Sequence, residues 1–284
     1  MKNAPKQLKT GLIGISAALS MLAMPAAQAT LLDGIVDIWT VGVAGEFLEA
    51  SILPAAGVTF VNDQSLRWGT PATDGGQSGL DITNLAPANV NTNGAAVANT
   101  SVTHLNQPIF APSLQSVVLR SALTLTPFSP GGAALPSVSI DFLIDFLETD
   151  NGANPCADGG ANGVGVNSNG CADIFVIDQA ALNFPFFYDL DGAGGPLQNQ
   201  QYFISFFELT SGLNPLPVDA CNAVLGADED VCLGFRTPEG DNTTFQFAAL
   251  ITTERVSIPE PGALALMGLG IGLMGMLHRR RRTA

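Results

Sequence analysis

The side chains of this 284-residue sequence that could do chemistry are two histidines, four cysteines and 25 acidic residues. His104 lies well inside the chain, whereas His278 stands beside a run of C-terminal arginines. His104 is therefore the candidate for acid–base chemistry at neutral pH. No Gly-x-Ser-x-Gly sequence supplies a nucleophile, and the serines and aspartates are too numerous to nominate a partner. Two carboxylates could still act as a glycosidase pair, so a hydrolase stays open, with no catalytic residue assigned.

The four cysteines are Cys156, Cys171, Cys221 and Cys232. No two of them are separated by two to four residues, which argues against a zinc site. An even number of cysteines predicts disulfides if the chain is exported, and three pairings are possible. Pairing of sequence neighbours gives Cys156–Cys171 and Cys221–Cys232. Closing a loop of about 15 residues in this way stabilises a fold by roughly 3 kcal/mol.

Acidic residues are concentrated in and around these loops and in an Asp-Leu-Asp-Gly segment. Calcium binds six to eight carboxylate and carbonyl oxygens on flexible loops, so calcium is the one candidate cofactor. No EF-hand is present, because Asp-Leu-Asp-Gly lacks the third acidic position and the closing glutamate. The alternative is that the loops are a solvated acidic surface and that no cofactor is bound. The candidate ligands are Asp150, Asp158, Asp189 and Asp191.

Segments with alternating apolar residues must position these groups. The clearest is 137–148, and further β candidates are 57–61, 116–126, 173–178, 202–209 and 243–253. Stretches rich in Gly, Pro, Asn and Asp separate them, and 84–99 is predicted to be a solvated loop. No long helical stripe occurs in the body. The sequence therefore predicts an all-β fold, an antiparallel β-sandwich of jelly-roll or Ig-like type with long Gly-, Asn- and Asp-rich loops.

The charge of the chain is distributed very unevenly. Seven of the eleven basic residues lie in two terminal segments, whereas all 25 acidic residues lie between Asp33 and Glu260. The body between the tails has no lysine and only four arginines, which against 25 acids gives a net charge of −21. Such a field repels phosphate, so nucleic acid is not an expected partner. Calcium, polycations and neutral glycans remain compatible with it.

The N-terminal segment has the three parts of a secretory signal peptide. Three lysines in the first nine residues precede an apolar stretch at 11–24, and Ala27 and Ala29 fit the signal-peptidase pocket before Thr30. The sequence predicts a signal peptide at 1–29, cleavage by signal peptidase and a mature chain that begins at Thr30.

The C-terminal segment predicts a membrane anchor. Sixteen uncharged, mostly apolar residues at 262–277 would span about 24 Å as a helix, enough for a thin bilayer. The arginines that follow would stay in the cytoplasm and place the body outside the inner membrane. The remaining residues of this segment are Pro259, Glu260 and Pro261 before the helix and Arg279, Arg280, Arg281 and Arg282 after it.

This order of Pro-Glu-Pro, short apolar helix and arginine cluster resembles the PEP-CTERM sorting signal. The resemblance implies that an exosortase, a membrane cysteine transpeptidase-like enzyme, recognises residues 258–282 and cleaves near Pro-Glu-Pro. A plain C-terminal anchor is the alternative, but it gives no reason for the tripeptide at the outer interface. The predicted organisation is then a signal peptide, a secreted β-sandwich domain at 30–257 and the sorting signal.

A second resemblance is carried by Thr103-His104-x-Asn106, which is similar to the THxN family of PEP-CTERM proteins. This resemblance implies a surface or matrix protein. From the residues alone, Thr103, His104 and Asn106 predict a network that fixes the loop before Pro108, with a neutral His104; a ligand site is the alternative. Further segments similar to that family are Trp68-Gly-Thr-Pro, Gly76-Gln-Ser-Gly-Leu, Phe146-Leu-Glu148-Thr-x-Asn151, Gly170-Cys-Ala-Asp173-Ile-Phe and Gly234-Phe-x-Thr237-x-Glu239.

These features together predict an exported, exosortase-processed protein of the cell surface or extracellular matrix. Its expected role is structural or adhesive and associated with exopolysaccharide or a biofilm. A calcium-dependent glycan-binding module is the first alternative, because the acidic loops suit calcium. A secreted hydrolase is the second, and the sequence favours a protein that is not an enzyme.

Overall fold

The computed structural model describes residues 34–177, 183–192, 195, 199–210, 212–227 and 231–256. Several predicted features lie outside these ranges: the signal peptide with Ala27, Ala29 and Thr30, and the sorting signal with its transmembrane helix. Across the described part of the chain, no helix is both long and apolar enough to cross a membrane.

Strands dominate the described residues, and the one α-helix among them has eight residues. In chain order the elements are β1 (Ile38–Phe47), β2 (Val58–Asn62), β3 (Ser65–Trp68), β4 (Thr70–Pro71), β5 (Ser78–Asn84), β6 (Ala88–Asn91), β7 (Val97–Leu105), β8 (Ile109–Phe110), β9 (Ser116–Ser129), β10 (Val138–Leu147), β11 (Asp173–Ile177), β12 (Phe184–Tyr188), β13 (Gln200–Glu208), β14 (Asn214–Pro215), α1 (Val218–Leu225), β15 (Leu233–Thr237) and β16 (Asn242–Thr252). Two short 3₁₀ turns occur at Glu49–Ser51 and Gly165–Asn167.

The strands form two curled seven-stranded antiparallel sheets and a two-stranded ribbon. The first sheet has the order β14-β15-β11-β10-β9-β1-β6, and the second has the order β12-β13-β16-β7-β5-β3-β2. The ribbon pairs β4 with β8. The antiparallel all-β class is therefore confirmed, while the jelly-roll or Ig-like sandwich type stays a prediction.

Period-two alternation explains the long strands. In β9, Val117, Leu119, Leu123 and Leu125 are buried, as the pattern of 116–126 predicts. The same alternation holds in β10, except that Val138 at its start is 57% exposed. Alternating side chains that point inwards from both sheets build two apolar clusters, one around Trp68 and one around Trp39.

The prediction of a solvated loop at 84–99 is wrong. β5 continues to Asn84, β6 pairs with β1, and β7 starts at Val97. The signal was weak because β6 is an edge strand in which only Val90 is buried. Its other residues are polar or small, so the apolar period of two does not appear in the sequence.

A cavity of about 80 Å³ lies between the two large sheets. Phe142, Phe206 and Phe247 contribute to its largely apolar wall. Asn99 also lines it, at a position where the pairing of β7 with β16 shifts register. The side-chain nitrogen and oxygen of Asn99 are both buried without a hydrogen-bond partner.

Candidate functional site

Three carboxylates meet at one end of the first sheet. Glu148 directly follows β10, Asp173 begins β11, and Glu239 follows β15 by two residues. These strands are neighbours in the order β10-β11-β15, and antiparallel pairing brings the end of one beside the start of the next. One oxygen from each carboxylate lies within 4.8 Å of the other two. We call Glu148, Asp173 and Glu239 the acid cluster.

The acid cluster is enclosed and poorly supplied with hydrogen bonds. Asp173 is fully buried, Glu239 is 2% exposed, and Glu148 is partly exposed. The indole Nε1 of Trp68 donates to Glu148 Oε2 at 3.2 Å, and the backbone N–H of Thr149 donates to Asp173 Oδ1 at 2.9 Å. The oxygens Glu148 Oε1, Asp173 Oδ2 and both of Glu239 are buried without a partner. An unsatisfied buried oxygen usually costs about 1–3 kcal/mol, so this arrangement requires an explanation.

Burial shifts the titration of all three groups. It raises the pKa of Glu148 to about 8; the Trp68 hydrogen bond opposes this rise and the charge of Glu239 adds to it. Burial and the charge of Glu148 raise the pKa of Asp173 well above its usual value. Burial also raises the pKa of Glu239, with a partial offset from the nearby amide of Asn151. Three ionised carboxylates cannot share this space without protons or a cation.

No arginine of the described residues neutralises the acid cluster. Arg236 is the nearest in sequence, but its guanidinium contacts Asp158 at 2.7 Å. The body also has no lysine. The other three arginines are engaged elsewhere, Arg67 with Asp81, Arg120 with Asp141, and Arg255 over the ring of Phe203.

The predicted motif residues Thr103, His104 and Asn106 lie at the end of β7 in the second sheet. Thr103 faces away from the core, and its hydroxyl lies 2.9 Å from that of Thr244. His104 and Asn106 are fully buried and reach across to Thr237 of the first sheet. His104 Nδ1 lies 2.9 Å from Thr237 Oγ1, and Asn106 Nδ2 donates to the Thr237 carbonyl at 3.0 Å. The motif therefore joins the two sheets rather than only fixing the loop before residue 108.

This junction borders the acid cluster. Thr237 is the register partner of Asp173 and precedes Glu239 by two residues. Asn106 keeps its amide nitrogen on Thr237, which leaves Asn106 Oδ1 buried without a partner. The residue that bonds Thr237, two positions before Glu239, thus carries a neutral buried oxygen without a hydrogen bond.

Aromatic rings enclose His104 and keep it neutral. It stacks on Trp68 at a centroid distance of 5.8 Å and meets Phe175 edge-on at 4.8 Å. Burial lowers the pKa of His104 to about 3. The Thr237 hydroxyl, which shares a hydrogen bond with His104 Nδ1, also lies 3.5 Å from the Asp173 carbonyl. Its Nε2 is buried without a partner.

The structure does not bring the four predicted calcium ligands together, and none of them belongs to the acid cluster. Asp158 is occupied by Arg236, by the N–H of Gly160 at 2.9 Å and by Asn167. Burial would raise the pKa of Asp158, but these partners outweigh it and lower the pKa. Asp150 is exposed and accepts from its own turn, whereas Asp189 and Asp191 follow β12 in the other sheet.

The cysteines pair as Cys156–Cys171 and Cys221–Cys232, as pairing of sequence neighbours predicts. The first disulfide supports the acid cluster. The Thr149 hydroxyl donates to the Cys171 carbonyl at 2.7 Å. This hydrogen bond ties the end of the disulfide loop to the residue that follows Glu148. The second disulfide lies in a small separate cluster beside α1.

Sequence reasoning did not assign the acid cluster as a site. Glu148, Asp173 and Glu239 nevertheless stand in three of the segments that resemble the THxN family, and Trp68 and His104 stand in two others. A usable signal was therefore present: five of the six similar segments, which are far apart in the chain, each contain a residue of this site. The acidic loops alone had predicted a different set of aspartates as calcium ligands.

Comparison with known protein families gives a match in the C-terminal segment of the chain. Residues 257–282 match the PEP-CTERM protein-sorting motif. This motif implies an exported protein that is anchored at its C-terminus before processing and is targeted to an exosortase. A comparison with curated proteins gives no match.

Proposed function

We propose that the protein acts without catalysis at the cell surface or in the extracellular matrix, as a structural or adhesive component associated with exopolysaccharide, after exosortase processing. The observation that carries this proposal is the sorting motif at residues 257–282. The finer assignments, a sandwich of jelly-roll or Ig-like type and membership of the THxN family, are part of the same proposal.

Properties of the body support an extracellular role. Two disulfides suit an oxidising compartment. The lysine-free acidic surface suits hydrated glycan or calcium-rich surroundings better than phosphate polymers.

The enclosed site supports a non-catalytic role. Asp173 and His104 are fully buried, and Glu239 is nearly so. A reacting bond of a polysaccharide would have to reach these groups directly, as general acid–base catalysis requires hydrogen-bond contact.

Intact-mass analysis of the released protein tests the processing. Wild-type cells should release a chain that starts at Thr30 and ends near Pro259-Glu260-Pro261. Cells without the exosortase should retain the full C-terminus in the membrane. The matched variant is Glu260→Ala, which leaves the apolar helix and the arginines unchanged. A released wild-type chain that keeps residues 262–284 would contradict the proposal.

The exopolysaccharide association needs its own measurement. The processed protein should sediment with the isolated polysaccharide matrix, and removal of the polysaccharide by a glycosidase should release it. A protein that remains soluble in the presence of the matrix would rule out this role while leaving the processing unaffected.

A further inference from the structure

We propose that the acid cluster of Glu148, Asp173 and Glu239 is a calcium-type divalent cation site that ties together the neighbouring strands β10, β11 and β15 of the first sheet in the mature protein. This inference goes beyond the sorting function and does not depend on it. It also replaces the calcium ligands expected from the sequence by a different set of residues.

The geometry of the ligand atoms fits one cation. The three carboxylate oxygens lie within 4.8 Å of one another. Calcium binds oxygens at about 2.3–2.6 Å, so two ligands on opposite sides of the ion are separated by at most roughly 5 Å. The cluster contains no His nitrogen or Cys sulfur among the described residues, and such an all-oxygen set favours hard cations over zinc.

Unpartnered oxygens supply a second, independent argument. Acidic groups at a surface are solvated and need no ion. Here Asp173 Oδ2 is fully buried without a hydrogen bond, and the donors near Glu239, at Asn151 and Gly240, do not reach hydrogen-bond geometry with either of its oxygens. Buried carboxylate oxygens of this kind are ligands that calcium uses.

The charge balance points in the same direction. The arginines of the described body are engaged elsewhere, and His104 beside the cluster is neutral. A divalent cation would neutralise most of the cluster's charge. Glu148 is the one member of the cluster that is partly exposed to solvent.

Trp68 offers a direct spectroscopic test. Its indole nitrogen lies 3.2 Å from Glu148 Oε2, so an ion in the cluster would be adjacent to the ring. Terbium has the ligand preferences of calcium and luminesces when a nearby tryptophan transfers its excitation. The other tryptophan, Trp39, lies in the second apolar cluster and serves as a matched control.

The experiment uses the purified exported protein after treatment with a chelator. Added terbium should give saturable luminescence on tryptophan excitation, and calcium should displace it. Trp68→Phe should reduce the signal at least tenfold, whereas Trp39→Phe should keep it. Glu239→Gln and Glu148→Gln should each weaken terbium and calcium binding at least tenfold, and Asp81→Asn at a surface ion pair should not.

Thermal melting keeps the test decisive if Glu239→Gln does not fold. Calcium should raise the melting temperature of the chelated wild-type protein, and Trp39→Phe, which lies outside the site, should retain that calcium response. The proposal is overturned if neither ion binds the folded wild-type protein at millimolar concentration. It is also overturned if the signal depends on Trp39, or if Glu148→Gln binds as tightly as wild type.

Discussion

His104 of β7 and Thr237 of β15 form a buried hydrogen bond of 2.9 Å that joins the two large sheets. His104 must be neutral to occupy this position, since aromatic rings surround it and no carboxylate is hydrogen-bonded to it. Because burial disfavours protonation of this ring, acid should weaken the association of the two sheets.

The first prediction concerns this acid sensitivity. The unfolded chain protonates His104 near pH 6.5, but the folded protein does so only near pH 3. Between these values the unfolded state binds more protons, so the free energy of unfolding decreases as pH falls, by up to about 1.4 kcal/mol per pH unit. Denaturant titrations between pH 7 and pH 4 should show this loss relative to His104→Gln.

The comparison with His104→Gln isolates the histidine, because the acid cluster titrates in both proteins. The raised pKa values of the acid cluster act in the opposite direction on the free energy of unfolding. As the pH falls, these carboxylates bind protons at a higher pH in the folded protein than in the unfolded chain. If the free energy of unfolding depended on pH identically in the two proteins, the pKa of His104 would be the same in the folded and the unfolded state, which would contradict the prediction.

The second prediction concerns the ion pair of Arg236 and Asp158. The Asp158 side chain is 1% exposed, so Arg236→Met would leave a buried carboxylate without its counter-charge. We expect a loss of about 2 kcal/mol in the free energy of unfolding, reduced from the value for a fully buried pair because Arg236 is partly exposed. Urea unfolding at neutral pH measures it.

Arg120→Met is the matched control, because Arg120 and Asp141 form an equally short pair at the surface. Its effect should be much smaller. Equal losses in the two variants would mean that the burial of Asp158 has no energetic consequence.

The third prediction separates the two disulfides. Replacing both cysteines of Cys156–Cys171 or of Cys221–Cys232 by alanine should cost about 3 kcal/mol in each case, as the loops are of similar length. Only loss of the first pair should also weaken terbium binding, because the Cys171 carbonyl is held by Thr149 next to the acid cluster. Luminescence titration of both double variants decides this; equal affinities would contradict the coupling.

The fourth prediction concerns Asn99 in the apolar cavity. Leucine has a similar size and no polar atoms, so Asn99→Leu should raise the free energy of unfolding by about 1–2 kcal/mol. Asn84 is the control, since its amide oxygen accepts from the Gly45 N–H at 2.8 Å and its nitrogen donates to the Gly45 carbonyl. Asn84→Leu should destabilise. A lower melting temperature for Asn99→Leu would indicate that ordered water satisfies the amide.

The sequence predicted what local pattern controls. Alternation identified β9, β10 and β16, and the spacing of the cysteines selected the observed pairs. The edge strand β6 was missed because only Val90 in it is buried, and a single apolar residue shows no period. Among the described residues, the sheet order could not be predicted either, because it depends on contacts between distant segments.

The acid cluster illustrates the same limit. Glu148 and Glu239 are 91 positions apart, and only the placement of β15 beside β11 brings them together. The calcium prediction was based on aspartates in two local segments, but one of them, Asp158, is held by an arginine from β15. Local density of carboxylates therefore did not indicate where an ion would be needed.

The chain order of the strands also determines when the acid cluster can form. β10 and β11 are followed by β12 and β13 in the other sheet before β15 completes the cluster beside Asp173. A chain that crosses the membrane from its N-terminus presents Glu239 only about 20 residues ahead of the sorting motif at 257. The acid cluster can therefore be completed only after nearly the whole body has crossed the membrane, and a product truncated before Glu239 would lack one of its three carboxylates.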